Sequence, residues 1–324
     1  MHKSPDKIVY VLTSDGQDIY ADMNLLSVWS LLKSNPDACV KLLCDSDTEL
    51  ALQKINHRII NGVNEIIVID CPAGSSGFRN RYMKTTIRRY VDGAFLYLDA
   101  DTLIRDDLKP IFETDADFSA APNHSGTGSS KEIPKSEAAV FKSLKWPSPI
   151  KYVNGGVLYF SSHNDTYLLF DIWHKNWLDS YHKTGRYNDQ PSLNSALNES
   201  KINFKWLDQR YNAQVHARPH TAWGAAIWHI YSSGQAACPQ TVLDFGLKEI
   251  KEHYKISESL IVDTCYRQHP WIINNFIDKY AINKLKKSKH MINTHNWKWL
   301  WLSDKYLMAA KAIIRSCLLK LLGK

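Results

Sequence analysis

The stretch Phe95-Leu96-Tyr97-Leu98-Asp99-Ala100-Asp101-Thr102 carries the sharpest information in the chain. Four large apolar residues in a row read as a short strand buried on both faces. Two carboxylates follow at its end, one residue apart. In a regular strand they point to the same side, and the turn that follows re-aims one of them. Two hard oxygen ligands so placed suit a divalent cation such as Mn²⁺ or Mg²⁺. A bare Asp-x-Asp also fits a pair of solvated turn acids, so its surroundings must choose.

Upstream, short apolar runs alternate with helical patterns. Lys7–Thr13 reads as a strand and Tyr20–Lys33 as a helix stopped by Asn35-Pro36. Val40–Cys44 and Glu65–Asp70 read as strands, Thr48–Asn61 and Asn80–Tyr90 as helices. This order predicts an α/β domain: a mixed, mainly parallel sheet with helices on both faces. The handedness of such crossovers places the loops after the strands on one edge, where ligands sit.

Downstream the pattern breaks between Ser119 and Pro149, where Gly126, Gly128 and several serines precede Pro134, Pro147 and Pro149. A long insertion here reads as a lid over residues 123–150 or as a surface loop. Tyr152–Phe160, Lys205–Tyr211 and Ala225–Tyr231 return to strand character, and Thr166–Tyr181 and Asp189–Asn198 to helix. The expected division is a domain over 1–240, a helical extension over 241–283 packing on it, and a tail over 284–324.

The 324 residues are 44% hydrophobic and 23% charged, which supports a large core without staples. Collagen-like, low-complexity and disulfide-scaffold classes are thereby excluded. Six cysteines form no Cys-x-x-Cys pair, so they read as reduced thiols of a cytosolic protein. No run of 18 uncharged apolar residues occurs. The net charge of +7 is uneven: residues 284–324 hold ten Lys/Arg and one acid, which leaves the body at −2. Trp297, Trp299 and Trp301 alternate ahead of a basic, amphipathic pattern from Lys305 to Leu322. Such a segment lies in an anionic membrane interface or packs onto its own domain. No nucleic-acid-binding motif accompanies it.

Three further signals accompany the acidic pair. Asn154-Gly155-Gly156 enters a strand, where paired glycines mark a bulge or a close ligand approach. Asn188-Asp189-Gln190-Pro191 precedes a helix, where Asp189 serves as a cap and Pro191 suits the first turn. His229 sits in an apolar strand, as a core residue or a ligand.

Taken together and in this order, these blocks resemble the retaining glycosyltransferases of family 8, which have the GT-A fold and use nucleotide sugars. The family's YLDAD run matches Tyr97–Asp101 letter for letter, and its N-[SG]-G-[VF]-L strand matches Asn154–Leu158. Its D-Q-x-x-L-N helix start matches Asp189, Gln190, Leu193 and Asn194, and LDQRYN at Leu207–Asn212 looks like its L-x-x-x-[YF]-N. The likeness covers about residues 7–235. It implies that Asp99, Asp101 and His229 hold Mn²⁺, with Mg²⁺ as the alternative. It implies that Leu12, Thr13, Asp15, Tyr20, Lys84 and Ala100 bind the nucleotide. Asp189 and Gln190 would face the reacting sugar, and Asn154, Gly155 and Gly156 would border sugar or acceptor. Two departures stand out. The family's lysine after H-x-x-G-x-x is missing from His229–Gln235, with Arg210 and Arg218 among the candidates to replace it, and Lys84 stands where an arginine is usual.

The implied activity is transfer of a hexosyl group, UDP-hexose favoured, to a hydroxyl of a glycan or glycolipid with retention of configuration. Bacterial family members that build cell-surface glycolipids share the basic aromatic tail, which places the protein at the inner face of the membrane and makes a lipopolysaccharide-type acceptor plausible. The rival readings are a sugar nucleotidyltransferase and a non-catalytic sugar- or membrane-binding relative. The first expects a Gly-rich basic loop after the first strand, which Thr13-Ser14-Asp15-Gly16 matches poorly.

Overall fold

Alternation along the first strand, β1 (Lys7–Leu12), sorts the core into two halves. Ile8, Tyr10 and Leu12 face one side, where they meet Leu25, Val28 and Leu31 of α1 (Tyr20–Ser34). Val9 and Val11 face the other. A strand apolar on both faces demands a layer on each. The computed structural model, which describes residues 6–231, 241–253 and 270, supplies both.

The chain continues through β2 (Cys39–Asp45), α2 (Ser46–Lys54), α3 (Ile59–Gly62), β3 (Glu65–Ile69), α4 (Ser76–Thr86) and β4 (Phe95–Leu98). Then come β5 (Thr102–Ile104), β6 (Phe118–Pro122), α5 (Lys135–Leu144), β7 (Val153–Phe160), α6 (Asp165–Thr184) and α7 (Gln190–Ser200). The last described elements are β8 (Phe204–Trp206), β9 (Ala213–Gln214), β10 (Ile227–His229) and α8 (Val242–His253). Seven strands form one sheet in the order β3-β2-β1-β4-β7-β6-β8. β7 runs antiparallel to β4 and β6, and the other pairings are parallel. A second, three-stranded sheet has the order β5-β10-β9. The mixed, mainly parallel sheet with a helical layer on each face is the expected architecture. α8 packs beside α1, through Leu243 and Leu247 against Leu26.

Local chemistry sets the element ends. The Asp45 carboxylate accepts the Thr48 N–H at 2.8 Å to start α2, and the Ser75 hydroxyl accepts the Phe78 N–H at 3.2 Å to start α4. Gly185, at φ +68°, closes α6.

Several expectations need correction. The single helix over 48–61 is two, because Asn56 turns left-handed at φ +48°. The strand over 205–211 is shorter, since the Asp208 carboxylate caps a tight turn by accepting the Arg210 N–H at 2.9 Å. The irregular stretch 119–149 holds β6 and α5, and β6 is buried throughout. Residues 284–324, most of 241–283, and Ser232–Gln235 lie outside the described residues. Among the described residues, no helix is long and apolar enough to cross a membrane. Cys39, Cys44 and Cys71 are unpaired.

His174 of α6 lies buried beside Thr85, whose hydroxyl is 2.8 Å from its Nδ1. Burial, with Arg89 nearby, lowers its pKa from 6.5 to about 4. Between those values the unfolded chain carries a proton that the folded one lacks, so stability falls as pH drops through that window. Urea unfolding of the full chain should show a loss on the order of 2 kcal/mol from pH 6.5 to pH 4 that His174→Gln removes.

Candidate active site

The acidic pair stands where two sheets part. Asp99 directly follows β4 of the large sheet, and Asp101 precedes β5 of the small one. β10 pairs antiparallel with β5 and sets His229 opposite Thr102. That register carries the imidazole to the carboxylates: His229 Nε2 lies 3.2 Å from Asp101 Oδ1 and 3.9 Å from Asp99 Oδ2. The three residues can offer ligand atoms all within 4.8 Å of one another. His229 is therefore not an ordinary core histidine.

Gly156 makes this approach possible. A Cβ there would lie 2.2 Å from His229 Cε1 and 2.8 Å from Asp99 Oδ2. The group that comes close to its backbone is the protein's own imidazole. The register between β6 and β7 also shifts between Val153 and Leu158, so the irregularity expected of paired glycines is present. Asn154, Gly155 and Gly156 are buried in β7. The Gly156 N–H donates to Asn154 Oδ1 at 2.9 Å, and the Gly155 N–H to Gln190 Oε1 at 3.1 Å. Their polar groups thus support the site from beneath.

Electrostatics tie the acidic pair to the start of α7. Lys84 of α4 is 2% exposed. Its Nζ lies 3.2 Å from Asp99 Oδ1 and 3.3 Å from Asp189 Oδ2. Arg81, one helical turn earlier, places Nε 2.8 Å from Asp189 Oδ1. The Tyr97 hydroxyl donates to Asp99 Oδ1. Burial pushes the Asp99 carboxyl up, but Lys84, His229 and Arg81 outweigh it and hold the group below the usual carboxylate range. Burial pulls His229 down, but the charge of Asp101 and the bond to it dominate and raise the imidazole.

A cleft of about 260 Å³ opens beside these groups at the C-terminal ends of β1 and β4. Leu12, Thr13, Tyr20, Ala100, Asp99 and Asp101 line it, as does Arg81. Two expected nucleotide contacts lie off its wall. The Asp15 carboxylate accepts the N–H groups of Gln17 and Asp18, each at 2.9 Å, and so closes its own turn. Lys84 sits below, between two carboxylates.

Glu137 was not visible in the sequence. It lies on α5, inside the stretch read as a loop. Its carboxylate accepts from Gln190 Nε2 at 3.1 Å, from Asn188 Nδ2 at 3.3 Å and from the Tyr152 hydroxyl. Asn194 stitches α7 to β7: its Oδ1 accepts the Val153 N–H at 2.7 Å and its Nδ2 donates to Val153 O at 3.1 Å. Asn194 was matched only as part of a motif.

The donor set fits a divalent cation. Two carboxylates and an imidazole converge, a mixed oxygen and nitrogen donor set, with Asp101 Oδ1 buried 3.2 Å from His229 Nε2. Residues 91–227 match the family model for nucleotide-diphospho-sugar transferases. Among solved structures, the glycosyltransferase GlyE of Streptococcus pneumoniae TIGR4 is similar at 18% identity and a TM-score of 0.52. That match covers 81% of this chain and 63% of GlyE, so this chain spans less than two thirds of GlyE's length. An active-site Gln-to-Glu mutant of LgtC matches at 17% identity and a TM-score of 0.50, over 78% of this chain and 98% of its own. These likenesses show a GT-A fold. No curated protein matches the chain by sequence.

Because Gly156 is packed against His229 and Asp99, Gly156→Ala should cost about 1–3 kcal/mol in stability through overpacking. Chemical denaturation of the two proteins side by side measures it, and an unchanged midpoint would contradict the close approach.

Proposed function

We propose that the chain transfers a hexosyl group from a nucleoside diphosphate sugar, UDP-hexose favoured, to a hydroxyl of a glycan or glycolipid acceptor, with retention of configuration. The observation that carries this reading is the convergence of Asp99, Asp101 and His229 beside a cleft at the strand ends of a nucleotide-diphospho-sugar transferase domain.

Asp99, Asp101 and His229 would hold a divalent cation, Mn²⁺ for preference, since an imidazole in the set suits it better than Mg²⁺. When bound, it supplies Lewis-acid stabilisation of the departing diphosphate. The remaining work falls to the protein. The wall formed by Leu12, Thr13, Tyr20 and Ala100 receives the nucleoside. Lys84 and Arg81 hold the Asp189 carboxylate in place, so it can accept hydrogen bonds from sugar hydroxyls. Gln190 lies beside Gly155 with its amide oriented at both ends. In a same-face attack the bond from the sugar carbon to the diphosphate oxygen breaks as the acceptor oxygen bonds to that carbon. The acceptor proton passes to the leaving phosphate oxygen, so no side chain need act as base.

The basic tail supports a peripheral position on an anionic membrane surface, by charge alone: ten Lys/Arg against one acid over 284–324. A lipid-linked acceptor would agree with that position.

A thermal-shift screen of nucleotide sugars with Mn²⁺ identifies the donor. With that donor, Asp101→Asn should abolish Mn²⁺-dependent hydrolysis, and undiminished turnover would remove the cation from the proposal. Gln190→Ala should lower kcat about 100-fold with little change in donor affinity. Replacing Lys311, Arg315 and Lys320 by Glu should release the protein from vesicles containing phosphatidylglycerol. Retention at moderate salt would show that the tail does not act through charge.

A further inference from the structure

Hydrogen-bond polarity around the site can be deduced group by group, because backbone N–H groups can only donate. The Gly156 N–H points at Asn154, so the atom receiving it is the amide oxygen, at 2.9 Å. Asn212 meets that same oxygen at 3.0 Å and must therefore present its NH₂. Its own oxygen is then the atom 2.9 Å from His229 Nδ1, which must carry the proton. At the other end, the Gly155 N–H fixes the oxygen of Gln190 at 3.1 Å. The Asn154 NH₂ reaches that oxygen at 3.4 Å. The Gln190 NH₂ is left to face Glu137, an acceptor that cannot donate while ionised, at 3.1 Å. The result is one unidirectional chain: His229 to Asn212, to Asn154, to Gln190, to Glu137. Every donor points the same way, and the run ends on a carboxylate.

We propose that Glu137 is a positioning residue that acts through Gln190, holding its amide with the carbonyl turned to Gly155 and closing this chain. The inference rests on the reading that Gln190 faces the reacting sugar. Three features support it. Glu137 also accepts from Asn188, so it grips both neighbours of Asp189. It accepts from the buried Tyr152 on Oε2, the same oxygen that receives the Gln190 amide, which fixes that oxygen in place. Lastly, a charged acceptor makes a stronger bond to the Gln190 amide than a neutral group would. Without it, Gln190 keeps its contacts to Gly155 and Asn154, which still set its oxygen, but its NH₂ end loses the acceptor that anchors it.

The test is a double-mutant cycle on the full chain, read as UDP release from UDP-glucose and from UDP-galactose with Mn²⁺. Glu137→Leu should lower kcat about tenfold and leave the donor KM within about twofold, the signature of misplacement rather than lost binding. In the Gln190→Ala background the same change should have no further effect, since its target is gone. Glu137→Gln, which keeps an acceptor oxygen, should recover most of the rate and controls for folding. An equal loss from Glu137→Leu in both backgrounds overturns the inference, because Glu137 would then act independently of Gln190. So does an unchanged kcat for Glu137→Leu. If wild type hydrolyses neither donor, or Gln190→Ala keeps full kcat, the underlying reading of the site falls and takes this inference with it.

Discussion

One buried ammonium holds the site in register. Lys84 has almost no contact with solvent, yet it sits between the carboxylates of Asp99 and Asp189. A lysine this deep is costly unless its charge is met, and two carboxylates this close repel unless a cation lies between them. Each member is tolerable only because the others are present. The three come from different places: the strand end after β4, helix α4, and the residue preceding α7. Their mutual charge fixes how those elements sit. Arg81, a turn away on the same helix, adds a second clamp on Asp189.

Around this ionic centre lies a neutral scaffold of amides. Asn154, Asn194 and Asn212 are buried, and each spends its side chain on a neighbour's backbone or amide. Inside a protein such bonds reinforce one another, and a half-satisfied member would be costly. Their uniform direction is set by the two glycine N–H groups of β7. The Asn-Gly-Gly motif thus imposes an order on groups that it does not itself expose.

Much of this was legible in the residues. An apolar run ending in Asp99-Ala100-Asp101 places two carboxylates at a strand end, whatever follows. A Pro191 one residue beyond Gln190 announces a helix start, and the α/β alternation announces the sheet. What stayed hidden depends on distance or on backbone detail. Glu137 reaches Gln190 across 53 positions, and no local pattern encodes that contact. Its helix has only ten residues and lies amid glycine, serine and proline, whose turn chemistry masks it. The break at Asn56 is a left-handed residue inside an otherwise helical run, which periodicity alone does not reveal. Lys84 looks like any helix-surface charge until the sheet closes over it.

The third candidate ligand belongs to a small sheet held by few pairings. Ile227, Trp228 and His229 pair with Ile104, Leu103 and Thr102, and a slip of one residue would turn the imidazole to the opposite face. What lies between, from 105 to 226, is no free excursion: it supplies β6, β7 and β8 of the large sheet, and Gly156 and Asn212 within it meet His229. A change of length in that stretch spares the three convergent ligands only where these contacts and both short strands return in phase.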